Sequence, residues 1–378
     1  MILKTKEFKE ATNKILLALD SDKSASNLEI VAKGQALYLN VTNKEFFVSV
    51  KFPLEQEETF RAVVEATVFL TLISGLTADE FSLETKDTTV VVKAGKSSYK
   101  LAMIYENDAL MTLPVITIDN KTVEMPIKND ILQSILNINS KEIQKGKGIN
   151  INELQKLYYV DETGCFTFTT GATLNKFDLE KPVKLLLNDR IVKLFRLFKD
   201  DVQFALGQDK LSDGRVRTKI SFETPDTYVA AIINCDDILL SKIQGPCTAT
   251  KRFISEAYAH SLVLRVNALA AAVNRLLLFT KTSIDKANMS QVPVTISFDS
   301  DELTIKDALG NCEVISIENE NNESFVSGQY EMSINLSDLK SVLESCKNEC
   351  ITLNCGNHRS VVINRGPVSN LIPEMKAN

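Results

Sequence analysis

Apolar residues recur at helical spacing in six places along the chain. Each time, a short run of strand-like residues stands just before them. The clearest copy is 262–266 followed by 267–280. Others are 330–334 with 335–346, 183–187 with 188–198, and 123–127 with 128–138. The first is 1–4 with 5–19, and the least regular is 60–64 with 66–76. Phe8, Ala11, Ile15 and Leu19 lie three or four apart and make one stripe on a helix. Ile191, Leu194, Phe195 and Phe198 make another. Asn188, Asn267 and Asn335 stand where an N-cap belongs, because an Asn side chain accepts free N–H groups of the first turn. The segments after the helices alternate instead. Leu37, Leu39 and Val41, then Val90 to Val92, Phe166 and Phe168, and Val294, Ile296 and Phe298 predict strands that cover the helix stripes.

The predicted helix starts fall near residues 5, 66, 128, 188, 267 and 335. Two such units of about 60 residues make a domain of ordinary size. The pattern therefore predicts three tandem domains, 1–121, 122–245 and 246–378, each with two helices and about eight strands, in the α+β class. The two boundaries fall on segments with turn chemistry, 117–121 and 243–247, the latter carrying Gly245-Pro246.

Composition changes this picture little. With 378 residues, 44% hydrophobic and 24% charged, the chain can bury enough apolar surface to offset its conformational entropy, which excludes disorder as the main state. No apolar run reaches the roughly 18 residues needed to span a bilayer. The first ten residues become charged at once and carry no signal-peptide core, so the expectation is a cytoplasmic protein with no membrane partner. Seven cysteines, an odd number clustered late, fit a reducing compartment better than a disulfide framework. Cys346, Cys350, Cys355 and His358 have zinc-ligand chemistry, but Cys350 and Cys355 sit five apart on a predicted strand and so point to opposite faces. No metal and no cofactor are expected.

Charge is informative once divided. The net charge is −6, and no third of the chain is basic: residues 1–122 hold 14 basic and 17 acidic groups, 123–245 hold 17 and 17, and 246–378 hold 12 and 15. The six predicted helices nevertheless sum to +6, leaving −12 on the remainder. Helices that all faced one way would present a basic surface on an acidic body, suited to a polyanion held through its phosphates without base reading. Ordinary solvated helix faces would give the same count.

Six strand–helix–strands units in three tandem domains resemble the bacterial DNA polymerase III beta subunit, the sliding clamp. The local matches are Phe168 to Leu174 (FTTGATL), Ile238 to Pro246 (ILLSKIQGP), which sits where clamps carry the linker into the third domain, and the apolar run from Val361. The resemblance implies domains of two helices on antiparallel sheets, closing as a head-to-tail homodimer ring around double-stranded DNA. It implies a sliding tether for the catalytic subunit of DNA polymerase III, loaded by a clamp loader and shared with repair proteins. Implied DNA-facing residues are Lys6, Lys9, Lys14, Lys128, Arg190, Lys193, Arg196, Arg275, Lys340 and Lys347. Partner peptides with apolar anchors would dock in a groove built from Thr169, Gly171, Thr173, Leu174, Ile243, Pro246, Val362 and Ile363. Two departures stand out. Ala172-Thr173 replaces the usual His-Arg pair, and the chain runs on past the aligned ending, where Leu371-Ile-Pro373 offers an alternative apolar edge.

The resemblance implies no catalysis. The chain has two histidines, His260 and His358, and lacks a P-loop, a dinucleotide fingerprint and a G-x-S-x-G elbow. The acidic pairs Asp200-Asp201 and Asp236-Asp237 read as solvated loops; a metal-dependent nucleic-acid enzyme would need acids that converge in space. A protein-binding scaffold of the same fold that does not touch DNA is the other alternative.

Overall fold

The computed structural model describes residues 1–21, 26–43, 45–138, 157–169, 171–211, 216–235, 237–283, 292–318 and 324–375, with side chains beyond 19 in the first helix and beyond 279 in the sixth left aside. Thr170 and Asp236, and the side chain of Lys281, which entered the helix charge count, lie outside this set.

All six repeats form. The first is β1 (Ile2–Lys4), α1 (Thr5–Ser21), β2 (Asn27–Thr42) and β3 (Phe46–Glu65). The second is α2 (Ala66–Gly75), β4 (Glu80–Lys86), β5 (Thr89–Ala94) and β6 (Ser97–Ala102), with a small hairpin β7 (Tyr105–Glu106) and β8 (Ala109–Leu110). The third is β9 (Lys121–Ile127), α3 (Asn129–Leu136), β10 (Leu157–Asp161), β11 (Gly164–Phe168) and β12 (Ala172–Lys176). The fourth is β13 (Lys184–Asn188), α4 (Asp189–Leu194) with a 3-10 turn at Phe195–Leu197, β14 (Val202–Lys210), β15 (Val216–Glu223) and β16 (Thr227–Ile233). A helix absent from the repeat follows, α5 (Asp237–Ser255). The fifth repeat is β17 (His260–Arg265), α6 (Val266–Ser283), β18 (Pro293–Phe298), β19 (Glu302–Asp307) and β20 (Cys312–Ser316). The sixth is β21 (Tyr330–Asn335), α7 (Leu336–Glu344), β22 (Cys350–Cys355), β23 (Ser360–Arg365) and β24 (Val368–Pro373).

The caps explain several helix starts. Asn188 Oδ1 accepts from the Ile191 N–H at 3.0 Å, and Asn335 Oδ1 from the Ser337 N–H at 3.1 Å. Asn267 is a correction: α6 begins at Val266, so Asn267 lies inside the first turn. The α2 cap is Glu65, whose carboxylate accepts from the N–H groups of Thr67 and Val68. The turn expected at 243–247 is also corrected. These residues lie within α5, so the boundary drawn at Gly245-Pro246 runs through a helix.

The chain packs as two compact units, Met1–Leu136 with Leu187–Cys235, and Asn137–Leu186 with Asp236–Asn378. In the first, a four-stranded sheet has the order β1-β4-β5-β6, and a six-stranded sheet has the order β2-β3-β16-β15-β14-β9. Helix α1 packs on α2 and α4. Its stripe is buried as predicted at Phe8, Ala11 and Ile15, with Leu19 half-buried. Phe8 meets Phe52 edge-on at 5.4 Å and Phe81 at 5.4 Å between ring centroids. Ile191, Leu194, Phe195 and Phe198 are buried too, Phe195 edge-on to Phe222.

In the second unit, an eight-stranded sheet has the order β13-β10-β11-β12-β24-β23-β22-β17, and a four-stranded sheet has the order β20-β19-β18-β21. Helices α6 and α7 pack together over one core that includes Leu269, Val273, Leu276, Leu339 and Ile296. Apart from β13 with β10, the sheet pairings among the described residues are antiparallel.

Candidate functional site

The ten candidate DNA-facing cations fall into two groups. Lys6 on α1, Lys128 just before α3, Arg196 after α4 and Lys347 after α7 are exposed. Among the described residues, none of the four has a salt-bridging carboxylate. The other six are engaged. Lys9 Nζ donates to the Leu76 carbonyl at 2.7 Å, at the C-terminal cap of α2, where a cation complements the helix dipole. Lys14 Nζ lies 2.7 Å from Asp226 Oδ2 and 2.9 Å from Thr227 Oγ1, tying α1 to the start of β16. Burial pushes the Asp226 carboxyl up, but hydrogen bonds from Lys14, Thr224 and Thr227 outweigh it and hold the group below the usual range. Arg190 reaches Glu45 at 3.4 Å, Lys193 pairs with Asp189 at 2.7 Å and Lys340 with Glu344 at 3.6 Å. Arg275 on α6 makes a two-pronged contact with Glu313 on β20, at 2.7 and 2.6 Å. Much of the helix-borne charge is therefore neutralised within the chain. For Lys14, Arg190 and Arg275 the partner lies elsewhere in the chain, where a count along one helix does not reach it; Lys193 and Lys340 pair with an acid of their own helix.

The candidate groove residues all belong to the second unit. Thr169 and Gly171 form the turn between β11 and β12: the Thr169 N–H donates to the Gly171 carbonyl at 3.0 Å, and the Gly171 N–H donates to Thr169 Oγ1 at 3.3 Å. A Cβ at Gly171 would lie 1.8 Å from the Leu371 carbonyl oxygen, so only glycine allows β24 this close. Thr173 pairs with Asn370 across the strands, and the Asn370 amide donates to Thr173 Oγ1 at 2.8 Å. Thr173, Leu174 and Ile243 are buried, and Pro246 is exposed.

Val362 and Ile363 lie on β23, the strand beyond β24, and both are 0% exposed, as is Ile243. The strand that pairs with β12 is β24, where Leu371 and Pro373 are half-buried and supply the alternative apolar edge.

Helix α5 lies against both β12 and β24. Its buried residues, Ile243, Cys247, Thr250 and Ile254, have the spacing of one helical face. That spacing could have revealed the helix, but Gly245-Pro246 masked it. Lys251 Nζ sits 2.9 Å from Asp161 Oδ2 and 5.3 Å from the centre of the Phe166 ring. A cavity of about 450 Å³ opens beside α5, lined by Tyr159, Asp161, Lys184, Leu240, Gln244 and Lys251 among others.

Burial, then the Asp161 charge, pushes the Cys165 thiol far up and the Cys247 thiol up to about 12, so neither is a thiolate near neutrality. Among the described residues, no three His, Cys, Asp or Glu side chains gather as a metal site. Cys355 is buried, and His358 contacts the Glu256 carboxylate. His260 is buried between Phe298 and Tyr330, and its Nδ1 accepts from the Ser327 N–H at 3.1 Å. Among the described residues, no helix is long and apolar enough to cross a membrane.

No protein-family model and no curated protein matches the sequence. Solved structures do. The sliding clamp (DNA polymerase III subunit beta) from Pseudomonas aeruginosa bound to griselimycin superposes with a TM-score of 0.78 at 15% identity, covering 100% of this chain and 99% of the other. The beta subunit of Streptococcus pyogenes DNA polymerase gives 0.76 at 14%, and the DNA polymerase III beta subunit of Thermotoga maritima gives 0.75 at 14%, with the same coverage. Over its whole length, this chain has the fold of the bacterial DNA polymerase III beta subunit, the sliding clamp.

Proposed function

We propose that this protein is a DNA sliding clamp, a non-catalytic processivity factor that closes as a head-to-tail homodimer around duplex DNA in the cytoplasm. It would tether the catalytic subunit of DNA polymerase III, and repair proteins, after a clamp loader places it. The observation that carries this reading is the structural likeness to clamps over 100% of the chain. The repeat supports reading the chain as three tandem domains, 1–121, 122–245 and 246–378, with α5 crossing the last boundary.

Open sheet edges support closure between copies. In the first unit β6 is an edge strand with Tyr99 41% exposed; in the second β20 is an edge strand with Val314 53% exposed. Pairing β6 of one copy with β20 of the next would cover both edges, and a heterologous contact that closes after two copies makes a ring.

The pairing of five of the ten cations with carboxylates favours a second reading, a scaffold that binds proteins but not DNA. Nicked circular DNA separates the two. Incubated with a clamp loader, a clamp stays on the circle and is lost when the circle is cut. A scaffold is not retained on either form, and retention on cut ends means ordinary binding.

A further inference from the structure

Helix α5 is built in two unequal halves. Gly245 and Pro246 stand near its middle. Pro246 has no N–H to offer the carbonyl four residues earlier, and Gly245 adds backbone freedom at the same place. The halves are also held differently. Cys247, Thr250 and Ile254 are buried in the second half, whereas Ile243 is the residue of the first half in the buried set. Lys251 with Asp161, Phe253 with the His358 ring at 4.6 Å, and Glu256 with His358 tie the second half and its end to the strands and hairpins around them. The cavity of about 450 Å³ runs along both halves: Asp237, Leu240, Ser241 and Gln244 of the first line it, and so do Cys247, Thr248 and Lys251 of the second. Ile238, near the start of the helix, is 68% exposed.

We propose that α5 is a hinged lid. Its second half is fixed, and its first half, 237–245, swings about Gly245-Pro246. When closed, Ile243 fills an apolar site on the sheet that carries β12 and β24; when open, that site is free for an apolar side chain of a partner peptide. Ile243 is thus an internal competitor of the incoming anchor, and binding is weaker by the free energy of opening. This inference rests on the groove reading given above and adds the gate that regulates it.

Amide hydrogen exchange and thiol labelling on the full chain test the lid without a partner. Amides of 239–245 are expected to exchange roughly tenfold or more faster than those of 248–254. Cys247 lies at the hinge and lines the cavity, so its modification by N-ethylmaleimide, read at that peptide by mass spectrometry, reports opening. In the double variant Gly245→Ala, Pro246→Ala a continuous helix should slow Cys247 modification by about tenfold or more. That variant has room to fold, since a Cβ at Gly245 meets nothing within 4 Å and Pro246 is exposed. Ile243→Ala should speed the modification instead. Uniform exchange along α5, or the same Cys247 rate in the wild type and the double variant, overturns the lid. Circular-DNA retention of the wild-type chain is scored separately. Retention with uniform exchange refutes the lid alone, and a mobile first half without retention refutes the clamp reading alone.

Discussion

Replacing Lys6, Lys128 and Arg196 by alanine together should weaken DNA contact without weakening the fold. All three belong to the first compact unit, all are exposed, and none has a carboxylate partner among the described residues. Each cation that meets a phosphate adds roughly 0.9 to the slope of log affinity against log salt, so their loss should flatten that slope by about 2–3 per chain. The control is Lys14→Ala in the same unit. It breaks the 2.7 Å contact with Asp226 and the 2.9 Å contact with Thr227. Because Asp226 is largely solvated, the loss is about 0.5–1 kcal/mol of stability, with little change in slope. The assays are fluorescence anisotropy on a nicked duplex across a salt series and urea unfolding of the same preparations. A slope unchanged in the triple variant, or flattened as much by Lys14→Ala, would refute the division between free and committed cations.

Three further outcomes follow from single sites. Gly171→Ala must push the Leu371 carbonyl away from 1.8 Å. Parting β12 from β24 loses a pair or two of ladder hydrogen bonds, about 2–4 kcal/mol in urea unfolding, and a loss under about 0.5 kcal/mol would contradict the close approach. His260 is buried, its pKa is lowered from 6.5 by that burial, and its Nδ1 already accepts a hydrogen bond. Its folded pKa is below the unfolded one, so its contribution is complete above about pH 6.5 and is lost as pH falls through the folded value. Melting curves between about pH 5 and 7 should therefore show an acid-side decline that His260→Asn reduces; an identical decline would place its cause elsewhere. Val314→Arg places a charge on the exposed β20 edge and should shift the solution mass from dimer towards monomer in light scattering. A dimer of unchanged stability would move the interface away from this edge.

Much of the architecture was legible in the sequence because it is written locally. The stripe from Phe8 to Ile15, the Phe-rich run from Ile191 to Phe198, and the caps at Asn188 and Asn335 depend on spacings of a few residues, and helical and strand periodicity reads those directly. The repeat of six strand–helix units follows from the same periodicity. Helix α5 escaped because Gly245-Pro246 is a strong local turn signal, while the burial that holds a helix through it comes from strands elsewhere in the chain.

Only the tertiary structure decided which cations are free. Lys14 meets an aspartate 212 positions away and Arg275 a glutamate 38 positions away, and no count of charge along a helix contains those partners. It also decided the last strands. Val362-Ile363 and Leu371-Ile372 are equally apolar in sequence, and hydrogen-bond pairing placed β24, not β23, beside β12. Local spacing determines which face of an element is apolar; which neighbour covers that face, and which charge is cancelled there, is fixed when distant segments share one sheet and bury their surfaces together.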